Sequence, residues 1–293
     1  GAENVAVGAL ALDANTTASY NVAVGTSALG ANTTGATNTA VGNNALVFNT
    51  TASNNTAVGA SALYANTTGT TNTAVGALSM QSATTANFNT AVGYDAGGDI
   101  TTGSSNTVLG MEALSKTTTG GSNTAVGQGA LNFNTTASNN TAVGATALAA
   151  NTTGASNTAV GSACFDVNPT GDFNVGVGRS AGGANTTGSQ NIAIGFQALE
   201  ANTTADNNTA IGFKALEANT TGYRNTAIGA TAGDAITTGL ANTTMGFEYL
   251  TDLTTGSNNV AIGEQALANS TTGGNNTAVG RKALKAVTTG VNN

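Results

Sequence analysis

The chain has 293 residues, of which 7% are charged, and its formal net charge is −7. It has no histidine and one cysteine, Cys164, so the commonest general base, an intramolecular disulfide and a cysteine-rich metal site are excluded. Seven basic residues in an acidic chain argue against nucleic acid as a partner. No apolar run approaches the roughly 18 residues that span a membrane. The composition therefore predicts a non-enzymatic protein without cofactor or metal.

A 17-residue repeat occupies almost the whole sequence. It begins at Asn4, returns at Asn21 and continues to Asn276 without an insertion or deletion. Residues 4–292 are thus seventeen units, with partial units at both ends, and we predict one continuous array over residues 1–293 without separate domains. Because solenoids normally carry capping units, the mid-repeat ends predict a section of a longer array, or a subunit whose ends meet another copy.

Within each unit, positions are numbered 1 to 17 from the asparagine. Position 5 is glycine in every unit, which argues against a helix. The pattern predicts a short strand at the x-Ala-Val-Gly segment, a second strand near the Ala-Leu pair, and an Asn-Thr-Thr-Gly turn. In the unit that starts at Asn140, alternation predicts Val143 and Leu148 inside the coil, with a smooth outer face at Ala142 and Gly144.

Stacked parallel coils would align equivalent positions about 4.8 Å apart. The asparagine column then predicts an amide ladder, and the glycine column either a positive φ or a close backbone approach. Leu at position 9 becomes glycine at Gly97 and Gly233, and position 12 of the same units becomes Ile100 and Ile236. This exchange predicts that positions 9 and 12 share core volume. The unit with Gly182 breaks the rule, because its position 12 stays polar.

A single coil offers about two large apolar side chains, so a lone solenoid has a thin core. Burial of the smooth Ala/Gly face against identical chains would supply the missing contact area. We therefore expect an oligomer.

The NTAVG, NVAVG and NIAIG pentads, such as Asn191–Gly195 and Asn259–Gly263, resemble the YadA-like head repeats of trimeric autotransporter adhesins. The resemblance implies an all-β fold, a left-handed parallel β-roll or β-solenoid of seventeen coils, and a homotrimeric fibre. It also implies an extracellular, cell-surface or virion location, a role in adhesion or spacing, and an unknown surface receptor. The array is similar to bacteriophage tail-fibre segments as well, and end-to-end filaments of identical chains stay open.

Two alternative interpretations concern the threonine-rich turn. Asn-Thr-Thr triplets match the N-glycosylation sequon, although Asn and Thr also form turns and cap backbone groups, which is the interpretation we favour. Regular threonine columns also invite an ice- or surface-binding role, but adjacent residues such as Thr152 and Thr153 should point in different directions. The sequons begin at Asn15, Asn32, Asn49, Asn66, Asn134, Asn151, Asn185, Asn202 and Asn219.

Three further sets of side chains are candidates for a site. Cys164 replaces a usual alanine and is predicted to be a small buried residue, since no histidine could activate it. Three phenylalanines share position 6 of nearby units and predict either an exposed stripe or a ridge for chain packing, the second being preferred. Scattered carboxylates predict solvated faces. The phenylalanines are Phe196, Phe213 and Phe247, and the carboxylates are Asp95, Glu112, Asp166, Glu200, Glu217, Glu248 and Glu264.

Overall fold

The computed structural model describes residues 1–246 and 252–293. In these ranges every repeat contributes one three-residue strand, always at positions 2 to 4, and no helix is present. The strands are β1 Val5–Val7, β2 Val22–Val24, β3 Thr39–Val41, β4 Thr56–Val58, β5 Thr73–Val75, β6 Thr90–Val92, β7 Thr107–Leu109, β8 Thr124–Val126, β9 Thr141–Val143, β10 Thr158–Val160, β11 Val175–Val177, β12 Ile192–Ile194, β13 Thr209–Ile211, β14 Thr226–Ile228, β15 Thr243–Met245, β16 Val260–Ile262 and β17 Thr277–Val279.

The chain divides into two compact units. The first contains residues 1–146 and 151–153 with β1–β9, and the second contains residues 147–150 and 154–293 with β10–β17. Within each unit, successive strands pair in parallel and in register, so that Thr39 lies opposite Thr56. Each unit is therefore a parallel β-solenoid, which confirms the predicted fold class. The homotrimer and the single continuous array stay predictions.

The two faces of the strand are the reverse of those predicted. Ala142 is completely buried, whereas Thr141 and Val143 lie half-buried on the outer side of the strand. The middle residue of the strand is buried throughout β2–β17. Leu148 is fully buried, as predicted. The interior is thus lined by alanine from the strand and leucine from the turn, and the aliphatic column at position 4 faces outward.

The repeat with glycine at position 3 shows how closely the strand approaches the opposite wall. Position 3 is glycine at Gly176, where an added Cβ would lie 2.7 Å from Cδ2 of Phe165 and would also meet the sulfur of Cys164. Position 3 therefore packs directly against positions 8 and 9 of the preceding coil. Where the preceding coil has a large residue at position 9, that residue fills the narrow interior, and the buried valine at position 3, Val108, follows a coil with Gly97 at position 9.

The predicted second strand near the Ala-Leu pair is wrong. Positions 7 and 9 adopt the left-handed conformation, as at Ser61 with φ 56° and Leu63 with φ 49°. This conformation is uncommon for side-chain-bearing residues and is tolerated where surrounding contacts over-determine it. Here the backbone N–H of Leu63 donates to the carbonyl of Ser79 in the next coil at 3.0 Å. Coil-to-coil hydrogen bonds thus hold a turn where sequence propensity indicates a strand.

The invariant glycine at position 5 meets both predicted requirements at once. Its φ lies between 118° and 142° in all seventeen repeats. A Cβ added at Gly59 would lie 2.5 Å from the carbonyl carbon and oxygen of Gly76 in the next coil. The glycine column therefore allows an unusual backbone angle and a close stacking of coils.

The shared core volume of positions 9 and 12 is confirmed. A Cβ added at Gly97 would lie 2.8 Å from Cδ1 of Ile100, so the isoleucine occupies the space that leucine fills in other coils. The repeat with Gly182 has no apolar residue at position 12. The ring of Phe165, from the preceding coil, fills the space beside Gly182 instead. Compensation therefore operates between neighbouring coils as well as within one.

Candidate interaction surfaces

The asparagines of position 1 form the predicted ladder inside the solenoid. The side-chain amide of Asn72 donates to the carbonyl of Ala86 at 2.7 Å and closes its own coil. Its Oδ1 accepts the backbone N–H of Asn89 at 3.0 Å and links the next coil. These side chains are buried, so each one satisfies backbone groups that water cannot reach. The column is structural and offers no surface for a ligand.

Replacement of Asn72 by alanine is expected to lower the free energy of unfolding by about 2–3 kcal/mol, because a buried carbonyl and a buried N–H lose their partners. Chemical unfolding followed by circular dichroism measures the change. Exposed Asn43, at position 6, is the matched control, and its replacement by alanine should change the stability by less than about 0.5 kcal/mol. Equal effects at the two sites would contradict the structural role of the ladder.

The sequon asparagines at position 12 form a second internal ladder. Asn49 donates to Oδ1 of Asn32 at 2.9 Å and to the carbonyl of Ala52 at 3.0 Å. Of the nine sequon asparagines, Asn15 is half-buried and the other eight are fully buried. A glycan on such an amide nitrogen would replace an internal hydrogen bond. The turn-and-cap interpretation is therefore the one that the geometry supports.

The two threonines of the turn play different parts. The hydroxyl of Thr33, at position 13, donates to the carbonyl of Thr50 in the next coil at 3.0 Å. Thr34, at position 14, is exposed, as is the threonine at this position in every repeat. Position 14 therefore forms an outward column of threonines, and position 13 forms a column that is bound to the backbone. This agrees with the expectation that Thr152 and Thr153 point in different directions.

The outer side of the strands forms a surface that we term the strand face, which consists of the side chains at positions 2 and 4. Position 4 is Val, Ile, Leu or Met in every repeat, and neither position carries a charge in any repeat. The aliphatic side chains are partly open to solvent, with Leu109 49% exposed and Met245 40% exposed. Each unit thus carries an uncharged, regularly spaced strip of β-branched and other aliphatic side chains.

The phenylalanines of position 6 meet in the second unit. The rings of Phe196 and Phe213 stack with centroids 5.5 Å apart and an interplanar angle of 13°. Phe213 is 51% exposed, whereas Phe196 is half-buried. The guanidinium of Arg179 lies 5.6 Å from the Phe196 ring centroid, and Lys214 Nζ lies 5.8 Å from that of Phe213. Phe247 lies outside the described residues.

Arg179 was not predicted as part of this cluster, although the repeat contains a signal for it. Arg179 occupies position 6 of the repeat immediately before Phe196. Extending the phenylalanine column by one repeat toward the N-terminus would have placed it beside the rings.

The carboxylates take part in separate contacts. Those of Glu217 and Glu264 form ion pairs with Lys214 and Arg281 at 2.8 and 2.9 Å. Asp95 accepts the hydroxyl of Ser115, and burial raises the pKa of Asp166. In the described ranges no three acidic or cysteine side chains are grouped to hold a metal ion, and Glu248 lies outside those ranges.

Cys164 is fully buried against the interior, as the sequence predicts for a small replacement of alanine. Burial raises the pKa of its thiol to about 12, so the thiol is protonated at neutral pH. A protonated and enclosed thiol is a poor nucleophile. Cys164 is therefore a packing residue of the core.

Comparison of the chain with models of known protein families finds no match, and comparison with curated protein sequences finds none either. Within residues 1–246 and 252–293, no helix has the length and apolar character needed to cross a bilayer. The fold and its surfaces therefore define the class, a parallel β-solenoid built from 17-residue repeats.

Proposed function

We propose that the chain is a structural segment of an extracellular or virion-borne fibre, in which identical chains pack together to serve attachment or spacing. The observation that carries the proposal is the strand face. An outward-facing position that is aliphatic in all seventeen repeats is expected where another surface covers it, because soluble monomers rarely expose long contiguous apolar strips.

The proposed packing surface is the strand face, whereas the sequence led us to expect the Ala/Gly face. The Ala/Gly face is internal, and Ala142 is already buried within its own coil. The outward side chains of the strands are those of positions 2 and 4, which the in-register strands repeat at regular intervals. A second chain with the same repeat can match this spacing along its length. Repetition of one contact thus supports assembly from identical copies.

A homotrimer is the assembly that the resemblance to adhesin head repeats suggests, and three chains would cover one another's strand faces around a common axis. The role in attachment or spacing rests on the same resemblance and on the uniform array. A bacteriophage tail-fibre shaft has the same physical requirements, and this alternative is retained.

Lysine substitutions on the strand face test the packing. The double variant Val75→Lys/Val126→Lys places two charges in the proposed interface and should shift sedimentation from an oligomer to a monomer. The control Thr85→Lys/Thr136→Lys puts the same charges at the exposed position 14 of the same repeats and should leave the oligomer intact. Circular dichroism verifies that both variants fold. A folded strand-face variant with wild-type sedimentation would contradict the proposal.

Ice or ordered-surface binding is the second candidate, and one observation favours it. Position 2 is threonine in seven successive strands from Thr39 to Thr141, next to an aliphatic residue at position 4. The resulting Thr-x-aliphatic array lies on one face, which the turn threonines alone do not provide. A monomer with thermal hysteresis at micromolar concentration would favour ice binding over the fibre. An oligomer without thermal hysteresis would exclude ice binding.

A further inference from the structure

The stacked column of Arg179, Phe196 and Phe213, which we term the aromatic–arginine patch, is a run of three large side chains at a position that is mostly small in the other repeats. Nine of the seventeen repeats carry Ala, Ser, Thr, Asn or Gln at position 6. Here three successive repeats carry a guanidinium and two phenyl rings instead. A surface for packing identical chains in register would recur along the array, as the strand face does. Among the described residues, a stacked pair of rings with a guanidinium beside it occurs at these three coils, which fits a localised ligand better.

The patch combines two kinds of recognition. Phe213 is 51% exposed, and the next residue in the column is Ala230, whose small side chain leaves room beside the ring. Aromatic rings offer an electron-rich face and a large apolar area for the C–H groups of a ligand. One end of the patch is therefore suited to an apolar ligand face.

The other end carries a cation that is available for pairing. Arg179 is exposed, and no ion pair to it appears among the described residues. Lys214 differs, because it is paired with Glu217 at 2.8 Å. A planar guanidinium donates two parallel hydrogen bonds to a carboxylate, so Arg179 favours a ligand with that group.

The dimensions of the patch indicate how long the ligand must be. Neighbouring strands lie about 4.8 Å apart, so Arg179 and Phe213, two coils apart, are separated by about 10 Å along the axis. A ligand that reaches both ends must exceed one sugar ring and must combine C–H faces with a carboxylate. Oligosaccharides of uronic acids have both properties.

We propose that the aromatic–arginine patch binds a carboxylated oligosaccharide, with C–H faces on Phe213 and a carboxylate on Arg179. The proposal deepens the attachment role proposed above and rests on it for its biological meaning. Its test is separate, because sugar binding is measured on the assembled chain and the assembly is measured by mass.

The test is titration calorimetry of the full chain with an oligosaccharide of galacturonic acid, and with the matched neutral oligosaccharide of galactose. Arg179→Gln and Phe213→Ala should each weaken binding of the acidic sugar by about tenfold or more, because each removes one of the two contacts. The neutral sugar should bind more weakly and should not respond to Arg179→Gln.

Phe48→Ala provides the control within the same chain. Phe48 is 47% exposed and pairs edge-to-face with Tyr64, with ring centroids 5.0 Å apart, but none of the described cations lies over its ring. Its replacement should leave binding of the acidic sugar unchanged. Absence of acidic-sugar binding, or equal binding by all variants, would overturn the proposal. Dissociation of the oligomer by Phe213→Ala would overturn it as well, because the patch would then contact a second copy.

Discussion

Replacement of Gly59 by alanine is expected to destabilise the first unit by about 3–5 kcal/mol, because the added Cβ causes both backbone strain and a steric clash. The backbone has a φ of 137°, which L-residues rarely adopt, and the added Cβ would lie 2.5 Å from the carbonyl of Gly76. The coils cannot separate locally, since Gly76 donates its backbone N–H to the carbonyl of Val58, the residue before Gly59, at 2.7 Å. Denaturant unfolding of the variant and the parent measures the loss.

Gly129 provides the matched control in the same unit. Its φ of 63° is also positive, but the nearest atom to an added Cβ is Cγ2 of Thr146 at 3.8 Å. Other repeats place Ser61 and Thr146 at this position with similar angles. Gly129→Ala should therefore change stability by less than about 1 kcal/mol. A comparable loss in the two variants would show that backbone angle, and not coil stacking, requires the invariant glycine.

The second large effect is expected at Phe165 in the second unit. Its ring fills the space beside two glycines, Gly176 and Gly182. Phe165→Ala should cost about 3–5 kcal/mol, because it removes a fully buried ring and leaves a cavity between Gly176 and Gly182. Gly182→Leu alone should also destabilise, since the new side chain would occupy the space of the ring. Unfolding free energies of the single variants establish the two costs.

A double-mutant cycle tests whether the two positions share that space. The cycle uses Phe165→Leu and Gly182→Leu, each measured alone and then combined, and the double variant has in both repeats the leucine that most repeats carry at position 9. The double variant should be more stable than the sum of the single effects predicts, with a coupling energy of about 1–3 kcal/mol. Additive effects would mean that Phe165 does not replace the missing leucine.

Regular spacing allowed the main features of the fold to be predicted. A strict 17-residue period with one invariant glycine and one invariant asparagine predicted stacked parallel strands, and β1–β17 occur at the same positions of every repeat. The asparagine ladder and the two roles of glycine followed from alignment of equivalent residues. The pairing of Gly97 with Ile100 was readable because both changes lie in one repeat.

The orientation of the strand could not be predicted from its own pattern. A period of two separates Ala142 from Thr141 and Val143 but does not say which side is internal. The preference for large apolar residues inside fails here because the opposite wall already supplies residues such as Leu63 and Phe165. The width of the coil, which depends on contacts between distant positions, decides the question.

The left-handed turn at position 9 and the aromatic–arginine patch could not be predicted, because both depend on contacts between coils. Leu63 adopts a positive φ that leucine disfavours by itself, and only hydrogen bonds to the next coil make that angle acceptable. The 17-residue spacing indicated that Phe196 and Phe213 are neighbours, whereas the ring stacking and the cation beside it depend on side-chain conformations.

The central claim is that the outward strand face packs against identical chains, and native mass spectrometry of the unmodified chain tests it most directly. We expect an assembly with three times the mass of the 28.2 kDa chain, which persists on dilution. A stable, folded monomer would contradict the claim, because the aliphatic column at position 4 would then be uncovered in solution.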